Sequence, residues 1–349
     1  MSSKKRNYGQ FYTTNYSYIL QTMEIPTNID KIIEPFCGYG DMLGFLKKNG
    51  QYTVETYDID PKIDGTTLQD TLVHPPCYKG SFVLTNPPYL ARNKCTDKTI
   101  YDKYNMNDLY KCFLSELITN QCLGGIVIIP LNFWSSIRKA DIDLRRQFLS
   151  VYEVSQLNIF EEQVFVDTTY TVCSMQFHIR SSSYNIPIIA MVYPYGAKVE
   201  ATLTEDNQYM IGGEIYNLPD NPDYTITRLT SKTIDKPSTN ILVKCIDDGE
   251  HRPISLSMVR DAEVYVDNTP KLSARTYATL VIDPPISLDT QKRLVERFNE
   301  YLNLQRKKYN SLFLTNYRES KDIARKRISF DLVYQIVGSL LASGSQKSC

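Results

Sequence analysis

Asn86-Pro87-Pro88-Tyr89 directly follows the apolar run Phe82-Val83-Leu84 and Thr85. These residue types in this order suit substitution at an amino group bound to an aromatic ring. Such a nitrogen is a poor nucleophile because its lone pair is delocalised into the ring. Two acceptors set on its two N–H groups would hold that lone pair toward an electrophile. They would also stabilise the positive charge that develops during attack. Asn86 offers a side-chain carbonyl. Pro87 offers a main-chain carbonyl pre-aimed by the locked proline φ. Pro88 stiffens the turn, and Tyr89 offers a ring for stacking on a planar base. The bland alternative is a rigid turn after a strand.

A second group sits upstream. Glu34-Pro35-Phe36-Cys37-Gly38-Tyr39-Gly40-Asp41 leads from an apolar segment through two spaced glycines into Met42–Leu46. Glycines there let the backbone approach a ligand closely at the carboxyl end of a sheet. A lone G-x-G is common and gains weight only from the acids downstream of it. Asp58-Ile59 ends the next strand-like run roughly 20 residues on, where an acid accepts from both ribose hydroxyls in nucleotide folds. Asp70 comes next, placed to accept from an adenine amino group. A surface Asp is more often a cap or turn residue.

The elements that must position these residues alternate. Lys31–Glu34, Thr53–Asp58, Ser81–Leu84 and Ile126–Ile129 read as buried strands, with further strand-like segments in Phe148–Leu157 and Thr171–Ile179. Asp108 can cap a helix carrying Leu109, Phe113, Leu117 and Ile118 on one face. The expectation is an α/β, Rossmann-like sheet with helices on both faces. The pattern changes near Arg180–Tyr184, so the expected domains are 1–182 and 183–349. The second is strand-rich up to about Ile282. It closes with a helix capped by Ser287 and another near Ser329–Leu341.

In its motif order the chain resembles the amino-methyltransferases of DNA, in the class with the cofactor site first, then N-P-P-Y, then a C-terminal target recognition domain. Gly9-Gln10-Phe11-Tyr12-Thr13-Thr14 resembles that family's upstream F-Y-T-P motif, with Thr14 in place of proline. The resemblance implies S-adenosyl-L-methionine as cofactor, held by Thr13, Glu34, Phe36, Gly38, Gly40, Asp58, Ile59 and Asp70. It implies methyl transfer at Asn86, Pro87, Pro88 and Tyr89. Gln163-Val164-Phe165 resembles the loop whose phenylalanine packs on a flipped base, with Val166 where the family often has proline. The implied activity is site-specific methylation of adenine N6 in double-stranded DNA. N-P-P-Y is shared with N4-cytosine, ribosomal RNA and protein-glutamine enzymes, so it identifies the chemistry better than the substrate. A DNA specificity subunit without catalysis is the non-enzymatic alternative.

Charge is balanced overall, with 39 Lys plus Arg against 39 Asp plus Glu, so a basic surface must be sought locally. The stretch from Ser287 to Phe330 is basic and interleaved with aromatics. Arg306, Lys307, Lys308, Arg325, Lys326 and Arg327 are its candidate contacts to the DNA backbone. None of the eight cysteines forms a C-x-x-C pair and no histidine has ligand spacing, so no metal site is expected. The thiols, the lack of an apolar leader and the lack of an apolar run of about 18 residues point to a cytoplasmic protein that does not engage a membrane. A monomer, with any cognate restriction endonuclease encoded separately, completes the expectation.

Overall fold

The computed structural model describes residues 9, 13–46, 51–165, 170–181, 187–247, 253–268, 276–314, 318–319 and 324–345. The chain divides into two compact units, Met1–Glu205 with Arg318–Ala324, and Asp206–Tyr317 with Arg325–Cys349.

The first unit runs α1 (Tyr16–Ile19), β1 (Lys31–Glu34), α2 (Leu43–Leu46), β2 (Thr53–Asp58), β3 (Thr67–Leu68), β4 (Phe82–Thr85), α3 (Thr99–Tyr104) and α4 (Leu109–Thr119). It continues with β5 (Gly124–Pro130), α5 (Asn132–Ser135), α6 (Lys139–Val151), β6 (Tyr152–Phe160), β7 (Val172–Ile179), β8 (Ile188–Tyr193) and β9 (Ala197–Ala201). All nine strands form one sheet in the order β3-β2-β1-β4-β5-β7-β6-β8-β9. From β3 to β5 every pairing is parallel. β7 inserts antiparallel between β5 and β6, β8 runs parallel to β6, and β9 closes the sheet antiparallel. The fold is mixed α/β with a large, mainly parallel sheet. Its centre is apolar on both faces, which is why β4 and β5 read as continuous apolar runs: Val83, Leu84, Ile126 and Val127 are fully buried.

The strand order reverses at β1. The chain builds outward through β2 and β3, then returns to lay β4 on the other side of β1. The connections leaving β1 and β4 therefore diverge at the carboxyl edge and leave a crevice there, where ligands of open α/β sheets bind.

The second unit holds a four-stranded antiparallel sheet, β10 (Thr225–Arg228), β11 (Ser238–Lys244), β12 (Ser255–Met258) and β13 (Tyr277–Asp283), in the order β10-β13-β11-β12. Helix α7 (Leu288–Tyr309) packs on β12 and β11 through Leu294, Phe298 and Leu302, and α8 (Phe330–Ser345) packs beside it. Ser287 caps α7 by accepting from the Thr290 N–H at 3.2 Å.

Two expectations are corrected. The first unit runs to Glu205, not to 182, because Ile188–Tyr193 pairs with β6 and belongs to the large sheet. The linker-like composition near Arg180 falls between two strands of this same sheet. Phe148 lies on α6 rather than on a strand. Leu144 and Phe148, one helical turn apart, are both buried. The strand starts at Tyr152. Among the described residues no helix is long and apolar enough to cross a membrane.

Candidate active site

The carboxyl edge of β1, β2 and β4 is tied together by short polar contacts. β1 ends on Glu34, which is 1% exposed. Its Oε1 accepts from the Phe36 N–H at 3.3 Å and from the Thr85 hydroxyl at the end of β4. Its Oε2 is buried and has no hydrogen-bond partner among the described residues. Burial lifts the Glu34 carboxyl to about 8; the Thr85 hydroxyl and the Phe36 amide pull against this, and Asp58 adds to it. A buried acid with an orphaned oxygen is a costly feature. It becomes intelligible if a cation with hydrogen-bond donors completes it.

The turn after β1 needs its glycines. Gly38 and Gly40 have φ of 53° and 75°, and a Cβ on Gly40 would meet Ile63 Cδ1 at 2.8 Å. Asp58, at the end of β2, holds this turn. Its Oδ2 accepts from the Gly38 N–H and its Oδ1 from the Asp60 N–H, each at 2.7 Å. Each oxygen keeps a second lone pair for a ligand. Asp70 accepts from the Leu72 and Val73 N–H groups through Oδ1. Its segment is pinned by the Gln69 N–H to Asp58 O and the Thr71 hydroxyl to Pro35 O.

β4 stops because Pro87 and Pro88 lack the N–H groups that would extend the ladder. The turn is then fixed from both sides. The Tyr89 N–H donates to Gly9 O at 3.0 Å, and the Leu90 N–H to Asp108 Oδ1 at 3.2 Å. Gly9 has φ of 64°, and a Cβ there would lie 2.6 Å from Tyr89 O, so only glycine fits against this turn. The upstream segment is anchored onto the sheet by buried Asn158 and Ser174, whose side chains bond the carbonyls of Ile19 and Gln21. That anchoring brings Thr13 to Asn86, whose amide nitrogen lies 3.0 Å from Thr13 Oγ.

These pieces enclose a cavity of about 300 Å³. Of the residues singled out from sequence, Thr13, Phe36, Gly38, Asp58, Ile59, Asp70, Asn86 and Pro88 line it. Glu34 and Gly40 stand behind the lining, and so do Pro87 and Tyr89. Tyr89 is 3% exposed, and its ring meets Tyr110 and Tyr170 edge to face. Phe165 is 4% exposed and also off the lining; Val166, which follows it, lies outside the described residues. The two rings expected to stack on a base are thus packed within the unit. Gln10, Phe11 and Tyr12 of the upstream motif lie outside the described residues.

Among the described residues the lining carries Asp41, Asp58, Asp70 and Asp97 and includes no Lys, Arg or His. Burial raises the Asp41 carboxyl above its ordinary value, against a hydrogen bond from the Thr13 N–H. Such a cavity favours a cation and disfavours phosphate. Cys37 also lines it, but burial foremost, then Glu34, pushes its thiol up to about 12, which removes the thiolate a nucleophile needs. Sequence reasoning missed Asp41, though it directly follows the second glycine. It also missed Leu90, Cys95, Ile100, Tyr101 and Leu109, which close the cavity from the segment after N-P-P-Y. No spacing rule announces that this segment folds back.

In the second unit the six basic candidates separate. Lys307, Lys308 and Arg325 are exposed and Arg327 is half-buried. Arg306 donates to Ile254 O at 2.7 Å and lies 3.5 Å from Asp247. Lys326 is 8% exposed and donates to Asn310 O, just past the end of α7. Arg306 and Lys326 thus direct donors to main-chain carbonyls within the unit.

Neither protein-family models nor curated proteins give a match to this sequence. Solved structures do, at low similarity. A modification subunit assigned to a type I restriction enzyme of Vibrio vulnificus is 15% identical, with a TM-score of 0.42 over 54% of this chain and 48% of that one. The methyltransferase subunit of a type I restriction-modification system from Streptococcus thermophilus is 13% identical, with a TM-score of 0.40 over 53% and 48%. A type I restriction-modification assembly is 13% identical, with a TM-score of 0.42 over 86% and 65%. The chain spans about half the length of the first two. Likenesses of this size leave the chemistry to be argued from the residues themselves.

Proposed function

We propose that this chain is an S-adenosyl-L-methionine-dependent methyltransferase acting on the exocyclic amino group of a base in DNA, with N6 of adenine as the target. One observation carries the reading. Asn86 and Pro88 of the N-P-P-Y turn line the same cavity as Asp58 and Asp70, and among the described residues that cavity is lined by carboxylates with no basic side chain. A dinucleotide would bring phosphates to this acidic lining. A nucleoside bearing a sulfonium and an ammonium group suits it.

Asp58 is positioned to take the ribose hydroxyls with its remaining lone pairs. Ile59, 42% exposed, offers an apolar surface to the adenine ring, and Asp70 an acceptor for its amino group. Glu34 and Asp41 stand ready for the positive end. When bound, the cofactor supplies a methyl group open to direct attack by nitrogen, with a thioether as leaving group. Asn86 and the Pro87 carbonyl would accept from the substrate amino group and stabilise the charge it gains. No covalent enzyme intermediate is required, in keeping with the suppressed Cys37 thiolate. A base in duplex DNA must leave the stack to reach such a turn. Exposed Lys307, Lys308 and Arg325 support a nucleic acid as the substrate.

The test is incubation of plasmid DNA with methyl-tritiated cofactor, digestion to nucleosides and identification of the labelled base. Label in N6-methyladenine is expected. Label in N4-methylcytosine would move the substrate while keeping the chemistry. No label in DNA, with label in RNA or protein instead, would overturn the DNA reading.

A further inference from the structure

The segment after N-P-P-Y folds back over the cavity, and within it α3 touches two separate turns. Tyr101 of α3 is buried and lines the cavity beside Ile100. Its hydroxyl donates to the main-chain carbonyl of Leu90 at 2.9 Å. Burial foremost lifts its ionisation above the ordinary tyrosine value, so the proton stays in place to be donated. Leu90 directly follows N-P-P-Y. Its carbonyl also accepts from the Leu109 N–H at 3.3 Å, and its own N–H goes to Asp108. Both lone pairs of that carbonyl are engaged, and Tyr101 supplies one of the two donors.

A little further along, the same helix reaches the turn that Asp70 begins. The Lys103 ammonium donates to Leu72 O at 2.8 Å and to Val73 O at 3.2 Å. Asp70 Oδ1 already takes the Leu72 and Val73 N–H groups, and the Asp70 main-chain oxygen takes those of Val73 and His74. The amides of this turn are therefore satisfied from within, while the carbonyls of Leu72 and Val73 are met by α3. Tyr104 Oη lies 2.9 Å from Leu72 O but also 2.6 Å from Glu116 Oε2, with one proton for the two. Lys103 has three protons, and its ammonium rests 4.7 Å from the centre of the Tyr104 ring. It is the group able to serve both carbonyls at once.

Asp70 and Leu72 line the cavity, and so do Asn86, Pro88 and Leu90. One short helix thus braces the turn assigned to the cofactor's adenine and the exit of the turn assigned to the reacting amino group. Helix α3 keeps its own place by packing on α4, so either contact can be lost while the other stays. We propose that α3 is a bracket with two separable tasks: Lys103 is a positioning residue for the Asp70 turn and so for cofactor binding, and Tyr101 is a positioning residue for the exit of N-P-P-Y and so for methyl transfer. The two tasks rest on the methyltransferase reading; the two contacts do not.

The test sets two variants of the full-length protein side by side. Tyr101→Phe keeps the ring in the lining and removes the hydroxyl. It should slow single-turnover methylation of DNA at saturating S-adenosyl-L-methionine roughly three- to tenfold, the scale of one hydrogen bond, with cofactor affinity by calorimetry within about twofold. Lys103→Met keeps the stem and removes the ammonium. It should weaken cofactor affinity roughly three- to tenfold, a charge-assisted bond discounted for its exposed donor, with the saturated rate within about twofold. Lys103→Arg should recover the affinity. If both variants move the same quantity, or neither moves any, the bracket is overturned. Amide hydrogen exchange on the cofactor-free protein reads the contacts directly. Tyr101→Phe should speed exchange at Leu90 and Leu109, and Lys103→Met at Val73 and His74; the same set of amides loosening in both variants overturns their separation. A wild-type protein that binds no S-adenosyl-L-methionine and methylates nothing overturns the functional reading and the two tasks with it, while the exchange pattern still decides whether α3 holds the two turns independently.

Discussion

The cavity in the first unit and the basic stretch in the second are both charged regions, and they obey different rules. At the cavity, Asp58 in the lining and Glu34 behind it each end a parallel strand, and Asp70 follows in a segment tied to the same edge. Main-chain geometry delivers all three to one edge. In the second unit, Arg306, Lys307 and Lys308 are neighbours in sequence on one helix, yet Arg306 is turned inward to Ile254 O while the two lysines face solvent. Lys326 is buried and its neighbour Arg325 exposed. A residue at a strand end inherits its position from the sheet. A residue in a charge run has its direction set by helix phase and local partners.

The sharpest way to break this comparison is at the turn where backbone geometry should matter most. Asn86→Ala should lower single-turnover methylation by roughly 10²–10³-fold, as for loss of a hydrogen-bonding group that acts in the transition state. Cofactor affinity by calorimetry should change little. Near-normal turnover would separate the N-P-P-Y turn from the chemistry.

Next in size is Asp58. Asp58→Ala should weaken cofactor binding by about 1–3 kcal/mol, the range for a charge-assisted hydrogen bond. It should also loosen the Gly38 turn, which loses its acceptor. Asp58→Asn, which keeps one carbonyl oxygen, should fall between. Unchanged affinity in folded Asp58→Ala would leave the acidic cavity without its ribose contact.

Glu34 tests the same cavity through pH. In the folded protein it keeps its proton up to about pH 8, whereas an unfolded chain loses it near 4.5. Between those values the folded state binds more protons than the unfolded one. Stability should therefore fall as pH rises through that window, and Glu34→Gln should flatten the fall in a thermal denaturation series. Binding of a cation should drive ionisation of Glu34. Wild-type affinity should then rise about tenfold between pH 7 and pH 9. Glu34→Gln should lose that increment, while any ionisation of the cofactor itself remains in both proteins. Parallel pH profiles would remove Glu34 from contact with the positive end.

The smallest effects belong to the second unit. Neutralising Lys307, Lys308 and Arg325 together should flatten the dependence of log DNA affinity on log salt by up to about 0.9 for each phosphate they had neutralised. Arg306→Gln and Lys326→Gln should chiefly lower the melting temperature and leave that slope in place. If the inward pair carried the slope and the outward three did not, the contrast between the two regions would be reversed.

Much of the first unit was legible in the sequence because it depends on local rules. Continuous apolar runs marked β4 and β5, glycines marked the turn after β1, and Pro87 and Pro88 stopped β4. The acids at the ends of β1 and β2 followed from strand polarity alone. The boundary near Arg180 was misplaced because local composition says nothing about the strand that pairs next. Ile188–Tyr193 joins the large sheet through partners on β6, some thirty residues earlier in the chain.

What the sequence determined by itself was the order of chemical groups along the chain and the edge of the sheet to which each must go. That order fixes the N-P-P-Y turn beside a set of carboxylates, because parallel strands present their ends together. Tertiary structure alone decided which side chains reach the cavity. It buried the rings of Tyr89 and Phe165, turned Arg306 and Lys326 inward, and brought Thr13 across from the start of the chain to Asn86. Side-chain direction is set by partners distant in sequence. The Ile128 carbonyl, 2.8 Å from the Tyr89 hydroxyl, is one such partner, and no pattern in the sequence around N-P-P-Y names it.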